Sequence, residues 1–361
     1  MEALERPGAG EVFTAVVRAI EARDAVGLDR LLTLAEALPD AGRGSISAFG
    51  WVEASRLKGI TAKLLESPVP FRRLVGLASC AMHRVDAGAA AVEALSDDDA
   101  ALRARALRIA ADQGRLGLLQ ACLRAMADDD PECAFEATRA AVFLGDRRAA
   151  EAELLRAASV AGPSRLRSIC LFFRLCAPAE AHPLLQAISH EPADMRLLVR
   201  AVGIAGDPHH VPWLLRQMQE PGLARLAGES FSFIAGLDLA DARLERKPPD
   251  NFEPGPNDDA DDDNTAMDED DGLPWPDTDA VSTWWSKNGH GFQPGVRHFM
   301  GAAISPAHCF RVLKRGGQRQ RTAAAEHLCL LRPGTWLFPT HAPAWRQAQW
   351  LDAMGTEGAG P

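Results

Sequence analysis

The densest set of chemistry-capable side chains in this sequence is a run of carboxylates. Asp259, Asp261 and Asp263 fall at the first, third and fifth places of a twelve-residue calcium loop, and Asp270 falls at the twelfth. An EF-hand also needs glycine at the sixth place, where this chain has Asn264, and a bidentate glutamate at the twelfth. The four aspartates are therefore metal candidates only as loose attractors of divalent cations, and no metal site is assigned. Asp207, His209 and His210 form a second polar group, and His308, Cys309, His327 and Cys329 a third. Neither shows the two matched halves of closely spaced ligands that zinc sites use, so both read as cap and core side chains.

Nucleophile patterns are incomplete. Gly228-Glu229-Ser230-Phe231-Ser232 lacks the second glycine of a nucleophile elbow and lies in a helical period rather than after a strand. No GxxxxGK[ST] phosphate loop occurs. Carboxylates in a solvated loop have nothing to hold their pKa values apart, as acid–base catalysis requires. Of the seven cysteines, none has CxxC spacing, and Cys80, Cys122, Cys133 and Cys170 sit in apolar helical patterns as small hydrophobes. The residues name no catalytic group and no cofactor, so a non-catalytic protein is expected.

Composition narrows the partners. The net charge of −10 opposes a nucleic-acid backbone as ligand, since phosphate binding needs a basic face. The longest apolar runs, such as Ile169–Phe173, are far too short to insert in a membrane. An unpaired cysteine usage and an N-terminus without a secretory pattern lead to a cytoplasmic expectation.

The elements that position these groups are helical and repetitive. From Pro70 to about Ala158 a unit recurs at intervals of 31 residues, with Arg72 matching Arg103, Ala106 matching Ala137 and Gly114 matching Gly145. In the second unit Leu102, Ala106, Ile109 and Ala110 mark one apolar helix face. The triplets Asp97-Asp98-Asp99 and Asp128-Asp129-Asp130 punctuate the units as helix caps. Such a period indicates an all-α solenoid in which each helical pair buries its face on the next. Upstream, residues 11–38 read as a helical hairpin; Gly42 and Gly44 break the pattern, and a helix is expected over 45–65.

Composition then shifts. From Pro248 to Ser286 there is no Lys or Arg, and thirteen residues are Asp or Glu. This segment cannot build its own core and reads as a loop, anchored at its return by Trp275 in LPWPD and by Trp284 and Trp285 on a short helix. It is expected to fold back toward the basic stretch Arg311–Arg321 or toward the arginines of the repeats. The organisation is thus an N-terminal helical cap (1–66), a repeat array (67–240), the acidic insertion (241–290), a C-terminal helical pair (291–352) and a tail (353–361).

Several runs are similar to an uncharacterised proteobacterial HEAT-like repeat family: RRLVGLASCAMHRVDAG at 72–88, GDPHHVPWLLRQM at 206–218, ARLAGESFSFIAGLDLA at 224–240, FEPGPNDDADDDNTAMDEDDGLPWPD at 252–277 and GQRQRTAAAEHL at 317–328. That resemblance implies an armadillo-type α-solenoid of HEAT-like pairs with no assigned activity, in a family whose genes often lie near type VI secretion components. Scaffold, adaptor or chaperone work on another protein is the expected function. The contact candidates are Arg103, Arg105 and Arg139 on the repeats, the turn Gln318, Arg319 and Arg321, and the tryptophans Trp275, Trp284 and Trp285. The alternatives are a HEAT-like lyase subunit that attaches or detaches a bilin, and a divalent-cation-responsive module acting through the acidic loop.

Overall fold

The computed structural model describes residues 7–191, 194–250, 252 and 267–357, with side chains omitted at 39–40 and 355–357. These residues are mostly helical. In chain order the first helices are α1 (Ala9–Glu21), α2 (Ala25–Ala37), α3 (Pro39–Trp51), α4 (Ile60–Leu65), α5 (Pro70–Met82), α6 (Ala89–Glu93), α7 (Ala100–Asp112), α8 (Leu119–Ala125) and α9 (Pro131–Phe143). Then come α10 (Ala149–Ala158), α11 (Arg165–Leu175), α12 (Pro178–Ser189), α13 (Met195–Ala205), α14 (Val211–Gln217) and α15 (Ala224–Ala235). The last four are α16 (Thr278–Asn288), α17 (Pro306–Arg315), α18 (Gln318–Leu331) and α19 (Ala344–Glu357). Two small antiparallel ladders join β1 (Glu245–Arg246) to β2 (Trp275–Pro276) and β3 (His298–Phe299) to β4 (Ala302–Ala303).

The chain divides into two compact units, one of residues 1–150 with 321–361, the other of residues 151–320. In the first, the repeat is written in three helices of thirteen residues, α5, α7 and α9. They begin at Pro70, Ala100 and Pro131, so the intervals are 30 and then 31 residues. This corrects the uniform period of 31: the counterpart of Arg103 is Arg73, the fourth residue of its helix, and not Arg72. All three helices end in the same left-handed turn, at Arg84, Gly114 and Gly145. There the residue's own N–H bonds the third carbonyl back and the next N–H bonds the fifth (Gly114 to Ala111 at 3.1 Å, Arg115 to Ala110 at 3.0 Å). Helix α1 closes on Arg23 in the same way.

The expected helix over 45–65 is divided. Gly42 and Gly44 do not break α3 but lie inside it, because α1 crosses so closely that a Cβ on Gly44 would collide with the Ala9 carbonyl oxygen. A short 3-10 turn at Ala54–Leu57 then separates α3 from α4. Val12, Val16, Ile20, Leu32, Phe49 and Val75 gather in the core around α1, α3 and α5. In the other unit α11, α13 and α15 stack in succession, with Phe173, Val199 and Phe231 fully enclosed.

Gly114 carries two constraints at once: its φ is +60°, and a Cβ would strike the carbonyl of Gly334. Gly114→Ala is expected to lower unfolding stability by at least about 2 kcal/mol in a urea titration. Gly117→Ala, which meets open space, is expected to stay within about 0.5 kcal/mol.

Candidate functional site

The arginines near the starts of the first helices form a ladder with the caps between repeats. Arg73 donates to the carbonyls of Ser67 and Pro68 and pairs with Asp97 at 2.8 Å. One repeat on, Arg103 donates to the carbonyls of Asp97 and Asp98 and grips Asp128 through two bonds, at 2.9 and 2.8 Å. Within each triplet the first aspartate receives the arginine and also the N–H two residues on, while the third caps the next helix. Asp97 accepts from Asp99 and Asp128 from Asp130; Asp99 caps α7 and Asp130 caps α9. The Arg103 hydrogen bonds hold the Asp128 carboxyl below its usual range, and for Asp97 the Asp99 N–H is the largest cause.

The second unit carries the same device on a different source of aspartate. Arg165 pairs with Asp194 at 2.6 Å, and Arg225 grips Asp268 at 2.7 and 2.8 Å. Asp268 accepts from the Asp270 N–H at 3.0 Å, as the first aspartate of each inter-repeat triplet does. Arg196 holds Asp270 at 3.0 and 2.6 Å and Glu269 at 3.1 Å. The end of the acidic insertion thus repeats the arginine contact of the first aspartate in each triplet, while the helix that follows is capped by Asp277 and not by Asp270. Asp270, only 4% exposed, is a ligand of arginine rather than a free cation ligand. Asp259, Asp261 and Asp263 lie outside the described residues. The expected fold-back thus takes the arginines of the repeats; in the basic stretch Arg319 pairs instead with Glu229 at 2.5 Å and Arg311 approaches His308.

The expected contact residues separate into distinct environments. Trp275 is buried and meets Phe252 edge-on at 5.0 Å, and the Arg225 guanidinium packs against both rings, 5.0 Å from Trp275 and 4.8 Å from Phe252. Trp284 and Trp285 both meet Phe231 edge-on at 5.9 Å, so all three tryptophans anchor the insertion's return. Arg103 is engaged in the ladder. Arg139 pairs with Asp112 at 2.7 Å and Glu136 at 3.3 Å while lying over the Phe143 ring. Arg321 donates to Gln347, and Gln318 is exposed at the first residue of α18. Arg105, half-buried on α7, has no hydrogen-bond or ion-pair partner among the described residues.

Residues that sequence reasoning missed come together around Arg346. Its buried guanidinium donates to the carbonyls of Gly50, Trp51 and Val52, at the end of α3, and lies over the Trp345 ring. Trp51 is 53% exposed and Trp345 46%. No short-range signal marks this pair, because its two halves are almost three hundred residues apart.

Buried thiols are held protonated. Burial pushes Cys122, Cys176 and Cys309 up to about 11, and Cys133 and Cys329 up to about 12. Ser230 lies in mid-helix and donates to the Val199 carbonyl at 2.9 Å. Among the described residues no three His, Cys, Asp or Glu side chains are arranged to hold a metal, and no helix is long and apolar enough to cross a membrane. No family model, curated protein or solved structure matches the chain.

Two outcomes are expected. Arg225→Met strands the Asp268 carboxylate and removes the cation that packs against the Phe252 and Trp275 rings, and should lower stability by about 3 kcal/mol in urea. Arg319→Gln, at a half-exposed pair, should change it by less than about 1 kcal/mol. The second outcome concerns pH. Burial lowers the pKa of His83, His210 and His298, and both ring nitrogens of His298 are sealed from solvent without a partner. Above about pH 6.5 these histidines are neutral in both states; as pH falls below it, only the unfolded chain takes the protons and stability declines. The aspartates held down by arginine contribute stability that is lost only as pH falls below their unfolded value, near 3.8. The decline in melting temperature between about pH 6.5 and 5 should therefore shrink in His298→Phe.

Proposed function

We propose that this chain is a non-catalytic protein-binding scaffold or adaptor whose stacked helical pairs form a HEAT-like α-solenoid. The observation that carries the reading is the exposed pair Trp51 and Trp345, drawn from opposite ends of the sequence to one buried arginine. The Trp345 ring lies over the Arg346 guanidinium and the Trp51 backbone carbonyl accepts from it, and exposed Trp beside Arg is the composition of an interaction hot spot. Two further observations support it. Thirteen-residue helices recurring at 30 and 31 residues suit an array that offers one long face to a partner. Asp270, the buried thiols and Trp275, Trp284 and Trp285 are engaged in an ion pair, the core and anchoring contacts. A place beside type VI secretion components rests on the resemblance of the repeat, LPWPD and basic-helix runs alone, and a cytoplasmic setting on the cysteine usage and the N-terminal pattern.

The test is affinity purification of the full chain from its native cell, followed by mass spectrometry. A stoichiometric protein partner is expected with the natural sequence, and its recovery should fall by about tenfold or more for the Trp51→Ser, Trp345→Ser double variant. Both substitutions are at exposed rings, so the melting temperature of the double variant should hold. Absence of any stoichiometric partner would overturn the proposal.

A further inference from the structure

We infer that Arg105, with Arg108 beside it, is the receptor for a carboxylate on an acidic peptide segment of the partner, an inference that rests on the scaffold reading above. In the unit of residues 1–150 and 321–361, every other arginine described as buried or half-buried is engaged. Arg73 and Arg103 hold cap aspartates, Arg139 holds Asp112, Arg346 holds three carbonyls, and Arg84 lies over the Trp336 and Trp350 rings. Arg105 alone among them has neither a hydrogen bond nor an ion pair to any described residue; Arg115 keeps only a 3.6 Å ion pair with Asp86.

The neighbouring charges explain why it is left over. Asp112 and Glu136 are the carboxylates whose fields reach Arg105. Asp112 is bonded to Arg139 at 2.7 Å, and Glu136 is shared between Arg108 at 2.8 Å and Arg139 at 3.3 Å. Glu326 acts on Arg139. Burial works against the Arg105 charge more than the fields of Asp112 and Glu136 support it, and neither carboxylate bonds to it. Such a group gains most when an anion arrives from outside.

The site also has a way in. Along the ridge of α7, one turn before Arg105, stands the exposed and small Ala101. Arg108, three residues on, keeps 42% of its side chain exposed while it holds Glu136. Two guanidiniums on one ridge present a planar fork that matches a carboxylate. A polyphosphate is disfavoured, because Asp112 and Glu136 lie in the same field and would repel a strongly charged backbone.

Panning a displayed library of random peptides on the full chain, followed by fluorescence anisotropy with synthetic peptides, tests this. The selected peptides should share an Asp or Glu. Changing it to Asn or Gln, or making Arg105→Gln in the protein, should each weaken binding about tenfold, and the two together no more than either alone. Arg105→Lys should retain part of the affinity, and acetate should compete better than inorganic phosphate. The melting temperature of Arg105→Gln should be unchanged or higher, since an unpaired half-buried charge is removed; a lower one would make Arg105 a structural residue and overturn the assignment. Peptides that bind the Arg105→Gln protein equally well would overturn it too, as would preferential competition by phosphate. Failure to select any peptide would instead count against the scaffold reading itself.

Discussion

The structure depends on one interaction repeated along the chain: an arginine near the start of a helix holding an aspartate that lies one or more caps away. The helix starts concentrate unsatisfied N–H groups and positive dipole ends, which the third aspartate of each triplet neutralises. The first aspartate is then free to receive a guanidinium from the neighbouring helix, while the same guanidinium takes two carbonyls from the turn before its own helix. Bonds of this charge-assisted, two-pronged kind fix distance and orientation together. The register between Arg73, Asp97, Arg103 and Asp128 is thereby set pair by pair.

Where covalent repetition stops, the acidic insertion supplies the next rung. Asp268 takes Arg225 and the Asp270 N–H as Asp128 takes Arg103 and the Asp130 N–H, while Arg196 holds Asp270. The carbonyl ends of helices are served by the opposite device. Arg147 holds the carbonyls of Val142, Asp146 and Leu330, Arg346 those at the end of α3, and Arg297 those of Arg174, Cys176 and Ala205. Cations placed against the negative ends of helices need no carboxylate, which is how buried arginines persist in a chain of net charge −10. Among the described residues Arg105 is half-buried without a hydrogen bond or ion pair, and Trp51 and Trp345 are exposed.

Much of this was legible in the sequence, and the boundary is physical. Helix periodicity and the capping role of the aspartate triplets depend on residues within five positions of one another, so their types and spacing determine them. The anchoring of the insertion by Trp275 was legible for a similar reason, since a long polar segment needs an apolar return point. The interval of 30 rather than 31 between the first two repeats was not, because Arg72 and Arg73 are chemically identical and only packing shows which one reaches the cap. Gly44 misled for the same cause: a glycine that ends a helix and one that admits a neighbouring backbone look alike in one dimension. Only tertiary structure decided that Arg225 meets Asp268 across 43 residues, that Arg346 draws Trp345 to Trp51, and that Arg105 finds no carboxylate left. Those outcomes depend on which partner a finite set of charges reaches first, and that competition is settled in space, not along the chain.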